Sequence, residues 1–163
     1  MIRKKPNINS IVQGVVYATQ TGILLPLKDM PDDIIAQGVL GDGICIIPER
    51  DKVLSPVSGR ITTIAHSKHA FGITTEDGAE IIVHLGVDTV EMNGLGFSPN
   101  VVVGQEVLAG ELLCNMDRCL IQEAGYALHT AILLTNGDKY VISTKKQATS
   151  ILEKEVIFEY REI

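Results

Sequence analysis

The chain has 163 residues, 45% of them hydrophobic, and no apolar run of about 18 residues, so it has the size of one ordinary domain and is neither disordered nor inserted in a membrane. A net charge of −6 without a basic stripe excludes a nucleic-acid surface. Three cysteines without a C-x-x-C pair fit reduced thiols, and the basic N-terminus lacks the apolar core of a signal peptide. We therefore expect a cytoplasmic protein.

In chain order, residues 1–13 are predicted to be a flexible leader and residues 14–163 a single domain. Short runs rich in Val, Ile and Thr, bounded by turn residues, predict an all-β fold, an antiparallel sandwich or barrel. The segments 18–27 and 55–64 each open a strand and are each followed by an Ile-rich strand, which indicates a duplicated β motif. The predicted strands are 15–18, 22–27, 44–47, 55–64, 81–85, 100–103, 106–108, 111–115, 126–135, 139–143 and 155–160.

One or two short helices are predicted between these strands. Residues 29–37 carry one turn, with Asp29 as its cap and Pro31 near its first position. Residues 117–124 form the other, with Asp117 as its cap, Gly125 at its end and three apolar residues at helical spacing: Cys119, Leu120 and Ala124. The polar segment 145–154 is compatible with a helix.

Residues 67–90 predict a β-hairpin with two histidines. If Asp77-Gly78 is a two-residue loop, then Phe71 lies opposite His84. Alternation along the strands then places four side chains on one face: His69, Phe71, Ile82 and His84. Ile81, Val83, Leu85 and Val87 face inward, which leaves His84 exposed.

Two imidazoles on such a face can serve three kinds of chemistry. Zinc needs three or four ligands, so a site at His69 and His84 would be adventitious or would need Asp88 or a donor from another chain. Acid–base catalysis needs a cleft. Phosphoryl transfer needs one nucleophilic ring nitrogen, a fixed tautomer and a second donor for the phosphoryl charge, and the hairpin supplies these. No cofactor is implied.

The sequence also resembles a known family. The resemblance rests on 41–44 (GDGI), 55–59 (SPVSG), 69–71 (HAF) and above all 83–90 (VHLGVDTV), followed by 94–97 (GLGF). These segments are similar to the glucose-type IIA component of the bacterial phosphoenolpyruvate-dependent sugar phosphotransferase system. The resemblance implies an antiparallel β-sandwich and a phosphotransferase component with a phosphohistidine intermediate. Its partners would be the phosphocarrier HPr, which donates the phosphoryl group, and the cysteine of a IIB permease domain, which accepts it.

The resemblance also assigns roles to single residues. His84 becomes the phosphorylated nucleophile and His69 the neighbour that hydrogen-bonds the phosphoryl group. Ser67 matches a hydroxyl position that can hold His69, and Gly86 offers a carbonyl to fix the His84 tautomer. Asp88 matches an aspartate beside the site. We infer that its negative charge discourages tight retention of the phosphoryl group. An apolar docking surface would comprise Ile34, Ile35, Val39, Leu40, Ile82 and Val90.

Three other readings stay open. A binding protein could regulate target proteins through the same surface, with phosphorylation as its switch. A zinc peptidase on a similar duplicated fold would need H-x-x-x-D and H-x-H motifs, whereas this chain has only His66-x-x-His69. A biotin- or lipoyl-carrier module is suggested by 55–59, but no lysine sits at a suitable hairpin tip.

Overall fold

A computed structural model describes residues 14–163, so the predicted leader at 1–13 lies outside the described residues. The strands are β1 (Val15–Tyr17), β2 (Gly22–Pro26), β3 (Asp42–Pro48), β4 (Lys52–Leu54), β5 (Gly59–Ile64), β6 (Ala70–Thr74), β7 (Glu80–Leu85), β8 (Phe97–Pro99), β9 (Glu106–Val107), β10 (Leu112–Met116), β11 (Thr130–Leu134), β12 (Tyr140–Lys145), β13 (Thr149–Ile151) and β14 (Val156–Glu162). The helices are α1 (Asp33–Ala36) and α2 (Arg118–Glu123), with 3₁₀-helices at Leu27–Asp29 and Thr89–Met92. The prediction of a β fold with two short helices is confirmed.

The strands form three antiparallel sheets. The largest has eight strands in the order β13-β2-β3-β11-β7-β6-β5-β9, and two three-stranded sheets have the orders β1-β14-β12 and β4-β10-β8. The two Ile-rich strands of the predicted duplication, β3 and β7, both pair with β11, on its opposite sides. β11 and β7 therefore lie at the centre of the large sheet, where both faces of the sheet can be covered.

Each face of the large sheet carries its own hydrophobic cluster. The main core fills one face and the space beneath the smaller sheets, and it includes Phe71, Val83 and Ile132. The second core covers the other face under the 3₁₀-helix Leu27–Asp29 and α1. Its buried members are Leu27, Met30, Ile35, Cys45, Val87, Ala131 and Leu133.

Both predicted helices exist, but details of each differ. Asp32, and not Asp29, caps α1, because its carboxylate accepts the N–H groups of Ile34 and Ile35 at 3.1 and 3.2 Å. In α2 the Asp117 cap is confirmed, since Asp117 accepts the Leu120 N–H at 3.0 Å.

The apolar residues of α2 differ in burial, and Leu120 is partly buried against the main core. Ile121 is the fully buried residue of this helix, whereas Cys119 and Ala124 are exposed. The helix ends before Gly125, whose φ of +92° is the left-handed conformation that terminates helices.

Two segments do not form the predicted elements. Residues 100–103 are irregular and lead into a turn at Val103, with Val102 and Val103 exposed; they form no strand, because the chain bends there to bring β9 onto β5. Residues 145–154 contain β13, which pairs with β2, and not a helix. In both places a tertiary contact decides the conformation. No helix within the described residues is long and apolar enough to span a membrane.

Candidate active site

Hairpin β6–β7 carries the candidate site, and its register is one residue away from the sequence prediction. Ala70, and not Phe71, lies opposite His84. Phe71 therefore points to the other face of the sheet and is fully buried in the main core. The predicted grouping of Phe71 with the histidines and Ile82 is wrong, because a slip of one residue reverses the face of every side chain on a strand.

The loop explains this shift. A two-residue type I′ loop needs positive φ at both positions, whereas here Gly78 has φ +98° and Asp77 is not in the left-handed region. The loop contains three residues instead, 76–78, and is closed by the Thr75 N–H, which donates to the Ala79 carbonyl at 2.9 Å. One additional loop residue moves the whole register by one.

His69 and His84 nevertheless meet. Their ring centroids are 5.1 Å apart and their planes are nearly perpendicular, at 88°. His69 precedes β6 and follows Lys68, which has a φ of +63°, so strand alternation does not fix the direction of its side chain. The His69 carbonyl accepts the Leu85 N–H at 2.7 Å, which ties this segment to the residue that follows His84.

Small side chains flank His84 on both neighbouring strands. Ala70 lies opposite it on β6 and Ala131 lies opposite it on β11, with Cys45 next in the same row on β3. His84 itself is half-buried, and not fully exposed as the alternation predicted. The imidazole therefore has small neighbours on both sides, and Ala131 and Cys45 are buried members of the second core on the same face.

The surroundings of His84 favour its neutral form. Burial lowers the pKa of His84 below 6.5, and the neighbouring His69 lowers it further. Asp32, the Gly86 backbone and Asp88 act in the opposite direction and raise this pKa. Because burial is the largest effect, the ring is neutral at pH 7 and keeps a free lone pair on one nitrogen.

The pKa of His69 is lowered for the same main reason as that of His84. Burial lowers its pKa, and the backbone of Ser67 raises it. The Ser67 side chain is buried. Within residues 14–163 it is the Ser67 backbone that acts on His69, and the Ser67 hydroxyl forms no hydrogen bond to that ring. The Nδ1 atoms of His69 and His84 are buried and have no hydrogen bond of normal geometry to any described residue, so Nε2 is the accessible nitrogen in both rings.

Gly86 follows His84 by two residues and must be glycine. Its φ is +80°, and a Cβ there would lie 2.4 Å from the Thr89 methyl carbon and 3.2 Å from the Ala127 carbonyl oxygen. The Gly86 backbone raises the pKa of the His84 ring, against the larger effect of burial.

Asp32 is a site residue that the sequence analysis missed. Its carboxylate caps α1 and acts on His84 across the space between that helix and β7. Asp88, which was predicted, also raises the pKa of His84, and it adopts a φ of +60°. Nothing in the sequence placed α1 beside β7.

The predicted docking residues differ in exposure. Ile34 is 60% exposed, Val39 67%, Leu40 47% and Val90 49%, whereas Ile82 is half-buried. Ile35 is only 2% exposed and belongs to the second core, so its assignment to an exposed surface does not fit. It lies on the inner side of α1 because the helix turns neighbouring side chains about 100° apart.

No three side chains of His, Cys, Asp or Glu come together in a group that could hold a metal ion, as far as residues 14–163 are concerned. The histidine pair thus has no third ligand from the described chain.

Comparison with known proteins identifies the family. The family model for the phosphoenolpyruvate-dependent sugar phosphotransferase system, EIIA 1, matches residues 14–140. A glucose-specific EIIA component from Halalkalibacterium halodurans is 38% identical over 84% of this chain and 79% of its own length. The solved structure of glucose permease IIA from Mycoplasma capricolum superimposes with a TM-score of 0.81 at 34% identity, covering 88% of this chain and 93% of the other.

Two longer relatives are named as composite components. A beta-glucoside-specific EIIBCA component from Bacillus subtilis is 35% identical over 94% of this chain, and a glucose-specific EIICBA component from Streptococcus pneumoniae is 41% identical over 84%. The match spans only 25% and 19% of those proteins. The family prediction is confirmed: the chain belongs to the EIIA 1 family of phosphocarrier components of the phosphoenolpyruvate-dependent sugar phosphotransferase system.

Proposed function

We propose that His84 accepts a phosphoryl group from HPr and passes it to a cysteine of the IIB domain of a sugar permease. The observation that carries this proposal is the contact between the two histidines, whose ring centroids lie 5.1 Å apart beside two alanines. In this proposal residues 14–163 act as one domain in the cytoplasm, where HPr and the IIB domain are its partners.

The chemistry needs only one nucleophile. The lone pair of His84 Nε2 attacks the phosphorus of phospho-HPr, so that a new N–P bond forms as the N–P bond of HPr breaks and its electron pair returns to the HPr imidazole. In the second step the IIB thiolate attacks the same phosphorus and His84 leaves with its electron pair. Burial keeps His84 neutral and therefore nucleophilic before the first step.

His69 serves the phosphoryl group rather than the nucleophile. Its ring stands nearly perpendicular to that of His84, so that an N–H at its accessible nitrogen can point toward the phosphoryl oxygens. Such a donor stabilises the negative charge on the transferring group, which is worth most in a partly dehydrated site.

The carboxylates of Asp32 and Asp88 flank His84 and give the site a negative potential. We expect this potential to attract a basic partner surface and to oppose tight retention of the phosphoryl group. Fast transfer in both directions requires that neither the free nor the phosphorylated histidine is too stable.

The proposed docking surface consists of four exposed apolar residues, Ile34, Val39, Leu40 and Val90, together with the half-buried Ile82 on β7 of the hairpin itself. Exposed apolar side chains beside a polar site are typical of protein interaction surfaces. Ile35 supports this surface from within the second core.

Phosphorylation with purified components tests the proposal. The chain is incubated with labelled phosphoenolpyruvate, the general phosphotransferase enzyme and HPr, and the wild type is expected to take up label that is labile in acid and stable in base. His84→Ala should take up none. His66→Ala is the matched control, because His66 is exposed and lies outside the pair. An unlabelled wild type, or label that persists in His84→Ala, would contradict the proposal.

A further inference from the structure

The turn that follows His84 is unusual in its backbone. Gly86 has a φ of +80° and Asp88 a φ of +60°, so two of the four residues after His84 adopt the left-handed conformation. For a residue other than glycine this conformation is uncommon and needs support from the surrounding structure. The turn must therefore be held in place by its neighbours.

Three main-chain hydrogen bonds hold one side of this turn. The Leu85 N–H donates to the His69 carbonyl at 2.7 Å, the Gly86 N–H to the His129 carbonyl at 2.8 Å, and the Val87 N–H to the Ala127 carbonyl at 3.1 Å. All three use N–H groups and leave the carbonyl groups of the turn to other partners.

A side chain provides the remaining support. The Thr89 hydroxyl donates to the Leu85 carbonyl at 2.5 Å, and Thr89 is completely buried. The Thr89 methyl carbon occupies the position beside the Gly86 Cα, 2.4 Å from where a Cβ would be. Thr89 thus holds both ends of the peptide unit that joins Leu85 to Gly86, by a hydrogen bond at one end and by packing at the other.

This peptide unit shares the Gly86 Cα with the next one, which carries the Gly86 carbonyl, and the Gly86 backbone acts on the His84 ring. Among the described residues no backbone N–H donates to the Gly86 carbonyl, so that oxygen is available to a ring N–H. His84 Nδ1 is buried and has no hydrogen-bond partner among the described residues, so a proton on this nitrogen and the Gly86 carbonyl two residues along the chain are both without a partner there. A hydrogen bond at Nδ1 would fix the tautomer that leaves the lone pair on Nε2.

We infer that Thr89 is a positioning residue for phosphoryl transfer: its hydroxyl and methyl hold the Gly86 backbone against the His84 ring and so select the reactive tautomer. This inference rests on the proposed function of His84.

Three variants separate positioning from simple stability. Thr89→Val keeps the shape and the methyl but removes the hydroxyl, and Thr89→Ser keeps the hydroxyl. Thr75→Val is the matched control, because Thr75 is also buried and its hydroxyl also bonds the backbone of this hairpin, but at the loop remote from His84. The nitrogen NMR signals of the His84 ring in the unphosphorylated protein report its tautomer, and initial rates with phospho-HPr report transfer.

For Thr89→Val we expect the His84 signals to move from one tautomer toward a mixture of two. We also expect kcat for phosphoryl uptake to fall by about 10- to 100-fold with little change in KM, the range seen when the partner that orients a histidine ligand is removed. Thr89→Ser should restore most of the tautomer and the rate, and Thr75→Val should leave both unchanged.

Wild-type ring signals and rates in Thr89→Val would overturn the inference, and so would the same changes in Thr75→Val. If Thr89→Val does not fold, Thr89→Ser becomes the test, because it keeps the hydroxyl. A mixture of tautomers in Thr89→Ser, or a transfer rate as low as that expected without the hydroxyl, would then overturn the inference. The NMR measurement needs no phosphoryl transfer. An unlabelled wild type would therefore refute the proposed function, whereas unchanged tautomers in a labelled protein would refute only the role of Thr89.

Discussion

The two faces of the large sheet are built from the same strands but differ at matching positions. On the main core side, Phe71, Val83 and Ile132 form one row across β6, β7 and β11. All three are fully buried. One residue away along each strand, the opposite face carries the row Ala70, His84 and Ala131.

This difference shows how a stable sheet can support a reactive group. The main core row gains stability from large apolar side chains that fill space. The opposite row has small neighbours that leave space around one polar ring. The backbone pairing is shared, so rigidity supplied by one face holds the imidazole of the other in place.

The largest expected effect comes from one substitution on each face. His84→Ala should abolish phosphoryl labelling and change the free energy of unfolding little, because the ring is only half-buried. Phe71→Ala should lower the free energy of unfolding by about 3–5 kcal/mol, since it leaves a cavity in the main core. Denaturant titration and labelling of both variants test this contrast. If His84→Ala were as unstable as Phe71→Ala, the face that carries His84 would contribute as much to stability as the main core face, and the contrast would be wrong.

The next effect concerns the second histidine. His69→Gln should still accept label on His84 but should donate it to the IIB domain at least about 100-fold more slowly, because a donor to the phosphoryl oxygens is lost or misplaced. Single-turnover transfer from the purified phosphoprotein measures this rate. An equal loss of uptake in His69→Gln and His84→Ala would indicate instead that the two rings form one shared site, such as a metal site.

A smaller contrast lies within α1. Ile35→Ala should lower the free energy of unfolding by about 2–5 kcal/mol, because Ile35 is a buried member of the second core. Ile34→Ala should leave stability nearly unchanged and raise KM for phospho-HPr without lowering kcat, since Ile34 is exposed. Urea titrations and initial rates at several HPr concentrations test both variants. An unchanged KM would remove Ile34 from the docking surface.

The smallest expected effect is on the pH dependence of stability. Burial lowers the pKa values of His69, His84 and His129 below 6.5, so the unfolded chain binds more protons than the folded chain just below that pH. The stability contributed by the neutral rings is complete above 6.5 and is lost as the pH falls from 6.5 through the folded pKa values.

Denaturant titrations between about pH 5 and about pH 7.5 measure this slope, and His84→Gln should have a shallower slope than the wild type. A wild-type slope in His84→Gln would show that burial does not keep this ring neutral.

Much of the candidate site could be predicted from local sequence. The alternation at 80–88 correctly identified Ile81, Val83 and Leu85 as buried. The histidine pair was also found, although through a register that proved wrong, because His69 lies outside the strand and reaches His84 from a turn. The family motif at 83–90 pointed to His84 independently of that register.

Other features depended on how distant segments pack. Asp32 lies 52 positions before His84 in the chain, and only the packing of α1 on the second core brings the two together. The same packing buries Ile35 and exposes Ile34, which hydrophobicity alone does not distinguish.

By itself, the sequence determined the β architecture, the hairpin and the histidine that we propose as the phosphoryl acceptor, because alternation and turn residues act over a few positions. Only the tertiary structure decided the register of that hairpin, the carboxylate of Asp32 beside His84 and the support of Gly86 by Thr89. A loop one residue longer changes a face, and contacts between distant segments have no local signal, so these features arise only when the sheets and helices pack together.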